Sequence, residues 1–317
     1  MTRVAAIDCG TNSIRLLVAD VDPSAGTLVD LDRRMEVVRL GQGVDRTGRI
    51  APEALERTLD AARRYNDICT SLGVEAIRFV ATSASRDAEN RADFVDGVRD
   101  ALGVEPEVVE GTEEAELSFR GATGVLAGRH PGPFLVVDLG GGSTELVLGS
   151  DTVEAAYSMD VGCVRLTERH LHSDPPTVDE IARSRRDIHA ALDTASAHVP
   201  LGRAVTLVGL AGTVTTVTAH ALGLATYDPL AIDGSVLPVA QVLAACDDLL
   251  ARDHAERAAL PFMHPGRVDV IGAGALVWHE VVARVRDEVA RGGGELTDVV
   301  TSEHDILDGI AWSVATR

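Results

Sequence analysis

Two short segments of this sequence place acidic and hydroxyl residues around a glycine turn, and both could do chemistry. They are Asp8-Cys9-Gly10-Thr11-Asn12-Ser13 and Asp138-Leu139-Gly140-Gly141-Gly142-Ser143-Thr144-Glu145. Because glycine has no side chain, an anion can approach the backbone N–H groups of such a turn. Asp138 opens the second turn and Glu145 follows it, and carboxylates beside a phosphate are ligands that Mg²⁺ uses. We therefore predict phosphate binding at both turns and a magnesium site at the second.

The two segments align without a gap at an offset of 130 residues, with Asp8 on Asp138 and Arg15 on Glu145. Apolar residues flank each turn, which predicts a strand–turn–strand hairpin. A hairpin that binds nothing is the simpler interpretation of either segment alone, but the repetition favours phosphate binding. It also predicts two similar domains that face each other across a cleft.

The composition restricts the chemistry that this chain can perform. Its 317 residues are enough for two domains with full cores, and its net charge of −20 argues against a nucleic-acid partner. All 29 basic residues are arginine, which excludes lysine-containing phosphate loops, Schiff bases and pyridoxal attachment. An anionic substrate must therefore be bound by arginine, backbone N–H groups, hydroxyls or a metal.

Cysteine usage and hydropathy indicate a cytoplasmic protein without a membrane segment. The 4 cysteines are scattered, which favours a reducing compartment and argues against a zinc site. The apolar N-terminal run contains Asp8 and predicts a strand rather than a signal peptide. Residues 204–225 are uncharged, but their threonines, glycines and His220 predict a buried strand and helix rather than a membrane span.

Strand and helix patterns alternate along the chain, which predicts an α/β fold. Strands are expected at 3–9, 14–20, 27–39, 77–82, 106–110, 134–139, 144–149, 152–159, 205–209, 268–271 and 299–302. Helices are expected at 52–72, 90–102, 111–127, from 162, and at 177–198, 211–222, 239–252, 272–291 and 304–315. We predict one domain over 1–128, with helix 304–317 packing back on it, and a second over 129–303.

Further candidate residues lie in loops and at helix starts. Glu113 and Glu114 begin a helix, where acidic residues ordinarily interact with the helix dipole. Arg86 lies in a hydroxyl-rich loop, and a solvated loop and an anion site are equally good interpretations of it. The glycine turns 209–213 and 272–274 each precede the N-terminus of a helix, a position that favours anion binding. Close packing of the helix on a strand is an alternative explanation for the glycines of both turns.

Taken in order, the motifs resemble those of the exopolyphosphatase / guanosine pentaphosphate phosphohydrolase (Ppx/GppA) family. They are residues 7–13, 81–88, 111–115, 138–145 and 209–213. The glycine turns alone are shared with the wider actin-like (ribonuclease H-like, ASKHA) superfamily. The resemblance implies two actin-like domains with the active site in the cleft between them. It also implies hydrolysis of a terminal phosphoanhydride that depends on Mg²⁺, with Mn²⁺ as a substitute.

The resemblance also implies a role for each matching residue. Glu114 would be the base that activates water, Arg86 a phosphate ligand, and Asp138 and Glu145 the metal ligands. The remaining phosphate-binding residues would be Gly10, Thr11, Asn12, Ser13, Gly140, Gly141, Gly142, Ser143, Thr144, Gly212 and Thr213.

The expected activity is that of an exopolyphosphatase, which releases terminal phosphate from inorganic polyphosphate. Short chains are favoured because longer family members carry additional C-terminal domains. One alternative is a guanosine pentaphosphate (pppGpp) 5′-phosphohydrolase of the stringent response, which would use the same site. Others are an actin-like ATPase or kinase, and a non-catalytic sensor of (p)ppGpp or polyphosphate. The resemblance further suggests a homodimer, with (p)ppGpp or another nucleotide as a further ligand.

Overall fold

The computed structural model describes residues 1–316 of the chain. Its strands are β1 Thr2–Cys9, β2 Ser13–Asp22, β3 Thr27–Val37, β4 Ala76–Ala81, β5 Glu107–Val108, β6 Phe134–Leu139, β7 Thr144–Gly149, β8 Val153–Met159, β9 Thr206–Leu210, β10 Val236–Pro238 and β11 Asp298–Thr301. Its α-helices are α1 Val44–Thr47, α2 Pro52–Leu72, α3 Ser83–Asp87, α4 Arg91–Leu102, α5 Gly111–Leu126, α6 Cys163–His170, α7 Val178–Ser196, α8 Ala211–Ala221, α9 Pro229–Ile232, α10 Val239–Ala251, α11 His254–Ala258, α12 Ile271–Arg291 and α13 Ile306–Ala315. Short 3₁₀ turns occupy Leu201–Arg203 and Pro265–Arg267. This alternation confirms the predicted α/β class.

The first structural unit comprises Met1–Gly121 together with α13, and its sheet has the strand order β3-β2-β1-β4-β5. Helices cover both faces of this sheet, so the middle of β1, residues 4–7, is continuously apolar rather than alternating with polar residues. Ala5 and Ile7 pack in one cluster with residues of α2 and α4, whereas Val4 and Ala6 pack in a second cluster with α13. A Cβ on Gly309 of α13 would lie 2.0 Å from the carbonyl oxygen of Leu117, so α13 and α5 can approach this closely only with glycine there.

The second unit comprises Ala122–Asp305, and its sheet has the order β10-β11-β9-β6-β7-β8. Leaving out β10, the order β8-β7-β6-β9-β11 repeats that of the first sheet. The strand directions repeat as well, with antiparallel pairing through the first three strands and parallel pairing in the rest. The internal duplication predicted from two short segments therefore extends to the topology of two whole sheets.

The structure tests three local predictions, for the segments 268–271 and 204–225 and for Arg86. The predicted strand at 268–271 is wrong, because a turn follows Pro265–Arg267 and α12 begins at Ile271. Its apolar residues lie in that turn and at the first position of the buried helix α12, and a short apolar run alone does not distinguish this from a strand. Arg86 lies on the short helix α3 rather than in a solvated loop. Residues 204–225 form β9 and α8 as predicted.

The division into units differs from the predicted domain bounds of 128/129 and 303/304. The first boundary falls between Gly121 and Ala122, inside α5, and the second between Asp305 and Ile306. A helix can continue through such a boundary because its backbone hydrogen bonds are internal. Arg317, the last residue of the predicted 304–317 helix, lies outside the described residues. Within the described part of the chain, no helix is both long and apolar enough to cross a membrane.

Candidate active site

The hairpin of the second unit places two buried carboxylates side by side. Asp138 on β6 pairs directly with Glu145 on β7, and the two residues are 7% and 1% exposed. Directly opposed residues of antiparallel strands point to the same face, so both carboxylates lie on one side of the sheet. The Ser158 hydroxyl donates a hydrogen bond to Oε1 of Glu145 over 2.7 Å.

The glycine turn of this hairpin is held by its carbonyl groups. Those of Gly140, Gly141 and Gly142 accept hydrogen bonds of 2.7–3.1 Å from the backbone of α6 and from Nε of Arg165. In a planar trans peptide the N–H points opposite to the carbonyl. The N–H groups of Gly141, Gly142 and Ser143 therefore face away from α6 as three consecutive donors, which is the geometry of an anion-binding nest.

The start of α6 fits this turn because Gly162 has no side chain. A Cβ there would lie 2.4 Å from the carbonyl oxygen of Gly141, and the atoms in contact are backbone that cannot rotate away. Thr144 serves the same arrangement, because its hydroxyl donates to the carbonyl of Val161 over 2.6 Å. The Thr144 hydroxyl proton is thus directed into the fold rather than toward a ligand.

The first hairpin repeats the turn with one change of chemistry. The N–H of Gly10 donates to the carbonyl of Ser13 over 3.0 Å, and Gly140 and Ser143 make the same bond over 3.0 Å. Asp8 pairs directly with Arg15, whose Nε and Nη2 donate to Oδ2 of Asp8 over 2.9 and 2.7 Å. The cross-strand pair is therefore a carboxylate and a guanidinium in the first hairpin, and two carboxylates in the second.

The segment 38–41 holds the first turn as α6 holds the second. The carbonyl of Thr11 accepts from the N–H of Gly41 over 2.8 Å, and that of Asn12 accepts from Arg39 over 2.8 Å. The N–H groups of Asn12 and Ser13 accordingly face away from this segment. Within residues 1–316, the non-glycine residues with positive φ are Arg39 at 52°, in the segment that holds the first turn, and Ala211 at 66°, inside the turn 209–213. Such strain is concentrated at functional sites.

Parallel strand pairing brings Arg86 and Glu114 to the turn of the first unit. Cys9 of β1 lies beside Ala81 of β4, so the segments after both strands leave the sheet at the same edge. The Thr11 and Ser83 hydroxyls are 2.9 Å apart there. Nη1 of Arg86 donates to the carbonyl of Val109 over 2.9 Å and to Oε2 of Glu114 over 3.3 Å.

Arg86 and the two glutamates of α5 have different surroundings. The Nε and Nη2 groups of Arg86 have no partner among the residues that the structure describes, so this edge of the guanidinium can bind an oxyanion. Glu114 is 8% exposed. Glu113 instead forms a 2.6 Å ion pair with the buried Arg78, which also binds Glu107 over 2.6 Å. Glu113 thus belongs to a structural ion-pair network, and Glu114 is the carboxylate beside Arg86.

The turn 209–213 contacts an arginine from a distant part of the chain, Arg267, for which the sequence predicted no role. Asp138 pairs with Leu210 across parallel strands, so this turn leaves the sheet at the same edge as the second hairpin turn. Nη1 of Arg267 donates to the carbonyl of Gly212 over 3.1 Å, and a Cβ on Gly212 would lie 2.2 Å from Cζ of Arg267. Because Arg267 is separated from Gly212 by 55 residues, no local sequence pattern could have indicated the contact.

Comparison with known proteins decides the family. A family model described as the Ppx/GppA phosphatase family matches residues 17–291. The chain belongs to this family. It is 53% identical over 322 aligned positions to Exopolyphosphatase 2 of Mycobacterium tuberculosis, with 99% of each protein covered.

Solved structures of Ppx/GppA proteins have the same fold. A crystal structure of an exopolyphosphatase-like protein superposes with a TM-score of 0.95 at 48% identity, covering 98% of this chain and 97% of that one. An exopolyphosphatase from Cytophaga hutchinsonii superposes with a TM-score of 0.84 at 26% identity, covering 98% of this chain and 97% of that one. The match extends over both structural units and so includes both hairpins.

The donor set of the second hairpin fits the magnesium ion that the Ppx/GppA resemblance implies. Carboxylate oxygens such as those of Asp138 and Glu145 are the ligands that Mg²⁺ prefers. Residues 1–316 contain no group of three or more His, Cys, Asp and Glu side chains suited to hold a metal. Mg²⁺ commonly takes one or two protein carboxylates and completes its shell with water and substrate phosphates, so two opposed carboxylates agree with that mode.

Proposed function

We propose that this Ppx/GppA protein is an exopolyphosphatase that hydrolyses the terminal phosphoanhydride of inorganic polyphosphate. The full-length 53% identity to a relative named Exopolyphosphatase 2 supports this reaction. Phosphoryl transfer to water requires neutralisation of phosphate charge, in-line positioning and a group that orients the water. The chain contains a candidate group for each of these requirements.

The observation that carries the proposal is the pairing of buried Glu114 with partly buried Arg86 at the carboxyl edge of the first sheet. In the proposed reaction the water oxygen bonds to the terminal phosphorus while the bond from that phosphorus to the bridging oxygen breaks. Glu114 accepts the proton of the water, and the shortened chain leaves as an anion. Arg86 binds phosphate oxygens through Nε and Nη2 while Nη1 keeps it against Glu114.

The two hairpin turns support phosphate binding through their backbones. Consecutive N–H groups face away from the elements that hold each turn, and they can donate to phosphate oxygens without a lysine side chain. We propose that Asp138 and Glu145 bind Mg²⁺, or Mn²⁺ in its place. When bound, the metal would neutralise charge on the phosphate group.

Phosphate release from several substrates tests the proposal. Tripolyphosphate, long polyphosphate, pppGpp and ATP are compared with Mg²⁺, with Mn²⁺ and with EDTA, using wild type and Glu114→Gln. We expect the highest kcat/KM for polyphosphate, with no turnover in EDTA. A higher kcat/KM for pppGpp would make the chain a guanosine pentaphosphate phosphohydrolase. Turnover of ATP alone would favour an ATPase, and the absence of any turnover would favour a binding protein.

A further inference from the structure

The second unit contains a cavity that the proposed reaction does not use. It measures about 350 Å³ and lies between the end of α6, the loop 172–176 and the start of α12. Arg257, His254 and Gly272 line it, together with Asp174 and Asp269. Gly272 belongs to the turn 272–274 that the sequence offered as an anion site, and none of the five residues has a role in the proposed reaction.

The guanidinium of Arg257 is buried with most of its hydrogen-bonding capacity unused. Arg257 is 5% exposed, and its Nε donates to the carbonyl of Leu249 over 3.1 Å. Its Nη1 lies 3.9 Å from Oδ1 of Asp174, which is beyond hydrogen-bond distance. Its Nη2 has no hydrogen-bond partner anywhere in residues 1–316. Burial lowers the pKa of Arg257, although nearby aspartates oppose this. Buried donors without acceptors destabilise a fold, so an external acceptor is favoured here.

The N-terminus of α12 adds a second positive feature to the same cavity. This helix has 21 residues, and its N-cap residue, Val270, provides no side-chain cap. Its uncapped N–H groups and its dipole favour an anion. The guanidinium lies against this turn, because a Cβ on Gly272 would be 3.0 Å from Nη2 of Arg257. A buried cation and a helix N-terminus therefore meet at one wall of the cavity.

The two aspartates determine which anion this cavity can accept. The backbone N–H of His254 donates to Oδ2 of Asp174 over 2.8 Å. The imidazole Nε2 of His254 lies 3.2 Å from Oδ1 of Asp269. Carboxylates repel an anion unless that anion brings an O–H donor for them. Hydrogenphosphate has such an O–H group, whereas sulfate at neutral pH does not. We propose that this cavity is a second phosphate site, which binds a protonated phosphate group between Arg257, the start of α12 and Asp269.

This site is separate from the predicted phosphate turn at Thr213. A Cβ on Gly274 would lie 2.5 Å from Oγ1 of Thr213, so that side of α12 faces the turn. Residues two apart on a helix point about 200° from each other. Gly272 and Gly274 therefore face opposite sides of the first turn, and only the Gly272 side belongs to the cavity. The ligand could be free orthophosphate or the terminal group of a polyphosphate chain, because both present the same oxyanion.

Calorimetry on the full chain tests the second site. Orthophosphate and sulfate are titrated into wild type, Arg257→Met and Arg203→Met in EDTA. Arg203 pairs with Glu154 on the surface and serves as a charge-matched control. We expect wild type and Arg203→Met to bind orthophosphate at least tenfold more tightly than sulfate, and Arg257→Met to lose that binding at least tenfold. Equal phosphate affinity in the two arginine variants would overturn the proposal.

Two further measurements separate this site from the active site and from misfolding. We expect Arg257→Met to keep kcat and KM for tripolyphosphate within twofold, and a parallel loss of activity would contradict a separate site. Asp269→Asn leaves Arg257 in place and should reduce the preference for phosphate over sulfate at least fivefold, whereas an unchanged preference would contradict the role of Asp269. If tripolyphosphate displaces orthophosphate in EDTA, the site binds the ends of polyphosphate chains. If tripolyphosphate does not displace it, the site binds free orthophosphate.

Discussion

Replacing Glu114 by glutamine tests the proposed chemistry most directly. Gln has the size and shape of Glu, so it can still accept a hydrogen bond from Nη1 of Arg86, 3.3 Å away in the wild type. It cannot accept a proton from water. Loss of a general base typically lowers a rate about 10²–10⁴-fold. This corresponds to about 3–5 kcal/mol on the activation barrier. We expect KM to stay level or fall, because one negative charge leaves a site that binds anions.

Glu113→Gln is the matched control. The two residues are neighbours on α5, where side chains one residue apart point about 100° from each other. Without the Glu113 charge, Arg78 retains Nε and Nη2 contacts to Glu107 and a 2.7 Å bond to Ser313. Glu113 is also 47% exposed at its side chain. A partly exposed ion pair contributes below about 1 kcal/mol, so we expect a slightly less stable enzyme with kcat within about threefold of wild type.

The assay is phosphate release from tripolyphosphate with saturating Mg²⁺, and kcat and KM are determined separately for both variants. Thermal unfolding of each variant shows whether the fold persists. If Glu113→Gln loses the activity while Glu114→Gln keeps it, the base has been placed on the wrong residue. If kcat of neither variant falls more than about tenfold, general-base catalysis by a glutamate of α5 does not determine the rate, and the role proposed for Glu114 is refuted.

Three more predictions concern charge, metal and acid stability. Asp138→Asn should raise the Mg²⁺ concentration for half-maximal activity about tenfold or more while thermal unfolding is unchanged; an unaltered Mg²⁺ titration would contradict the metal assignment. Arg86→Ala should raise KM for tripolyphosphate about tenfold or more, and Arg86→Lys should restore it only in part, because lysine lacks the planar fork of donors. Glu180 accepts hydrogen bonds from the N–H and hydroxyl of Thr177, which outweigh the opposing effect of burial and lower its pKa from 4.5 to about 2. Because the folded pKa is depressed, the stabilisation is present above pH 4.5 and is lost as pH falls toward 2. Glu180→Gln should therefore be less stable than wild type at pH 7 in urea unfolding, with the difference shrinking below pH 4.5.

The sequence alone determined the features that depend on local pattern. The two hairpins follow from apolar runs on either side of a glycine turn, and their duplication could be read from the 130-residue offset. Most strands and helices follow from hydrophobic period and from glycine or proline at their ends. Asp138 opposite Glu145 follows too, because a tight turn sets the register of its strands. The apolar run at 268–271 is too short for its pattern to distinguish a helix from a strand, and the prediction there was wrong.

Only the tertiary structure decided which of these residues meet. Glu113 and Glu114 are adjacent in the sequence and equally acidic, yet Arg78 on β4 binds the first and Arg86 on α3 contacts the second. The contact of Arg267 with Gly212 and the unused guanidinium of Arg257 likewise depend on side chains brought from distant elements. Burial and partners arise when sheets and helices pack, and they are properties of the surroundings rather than of the residue. Local sequence can therefore propose which residue types do chemistry, but packing decides which copy of each type is placed to do it.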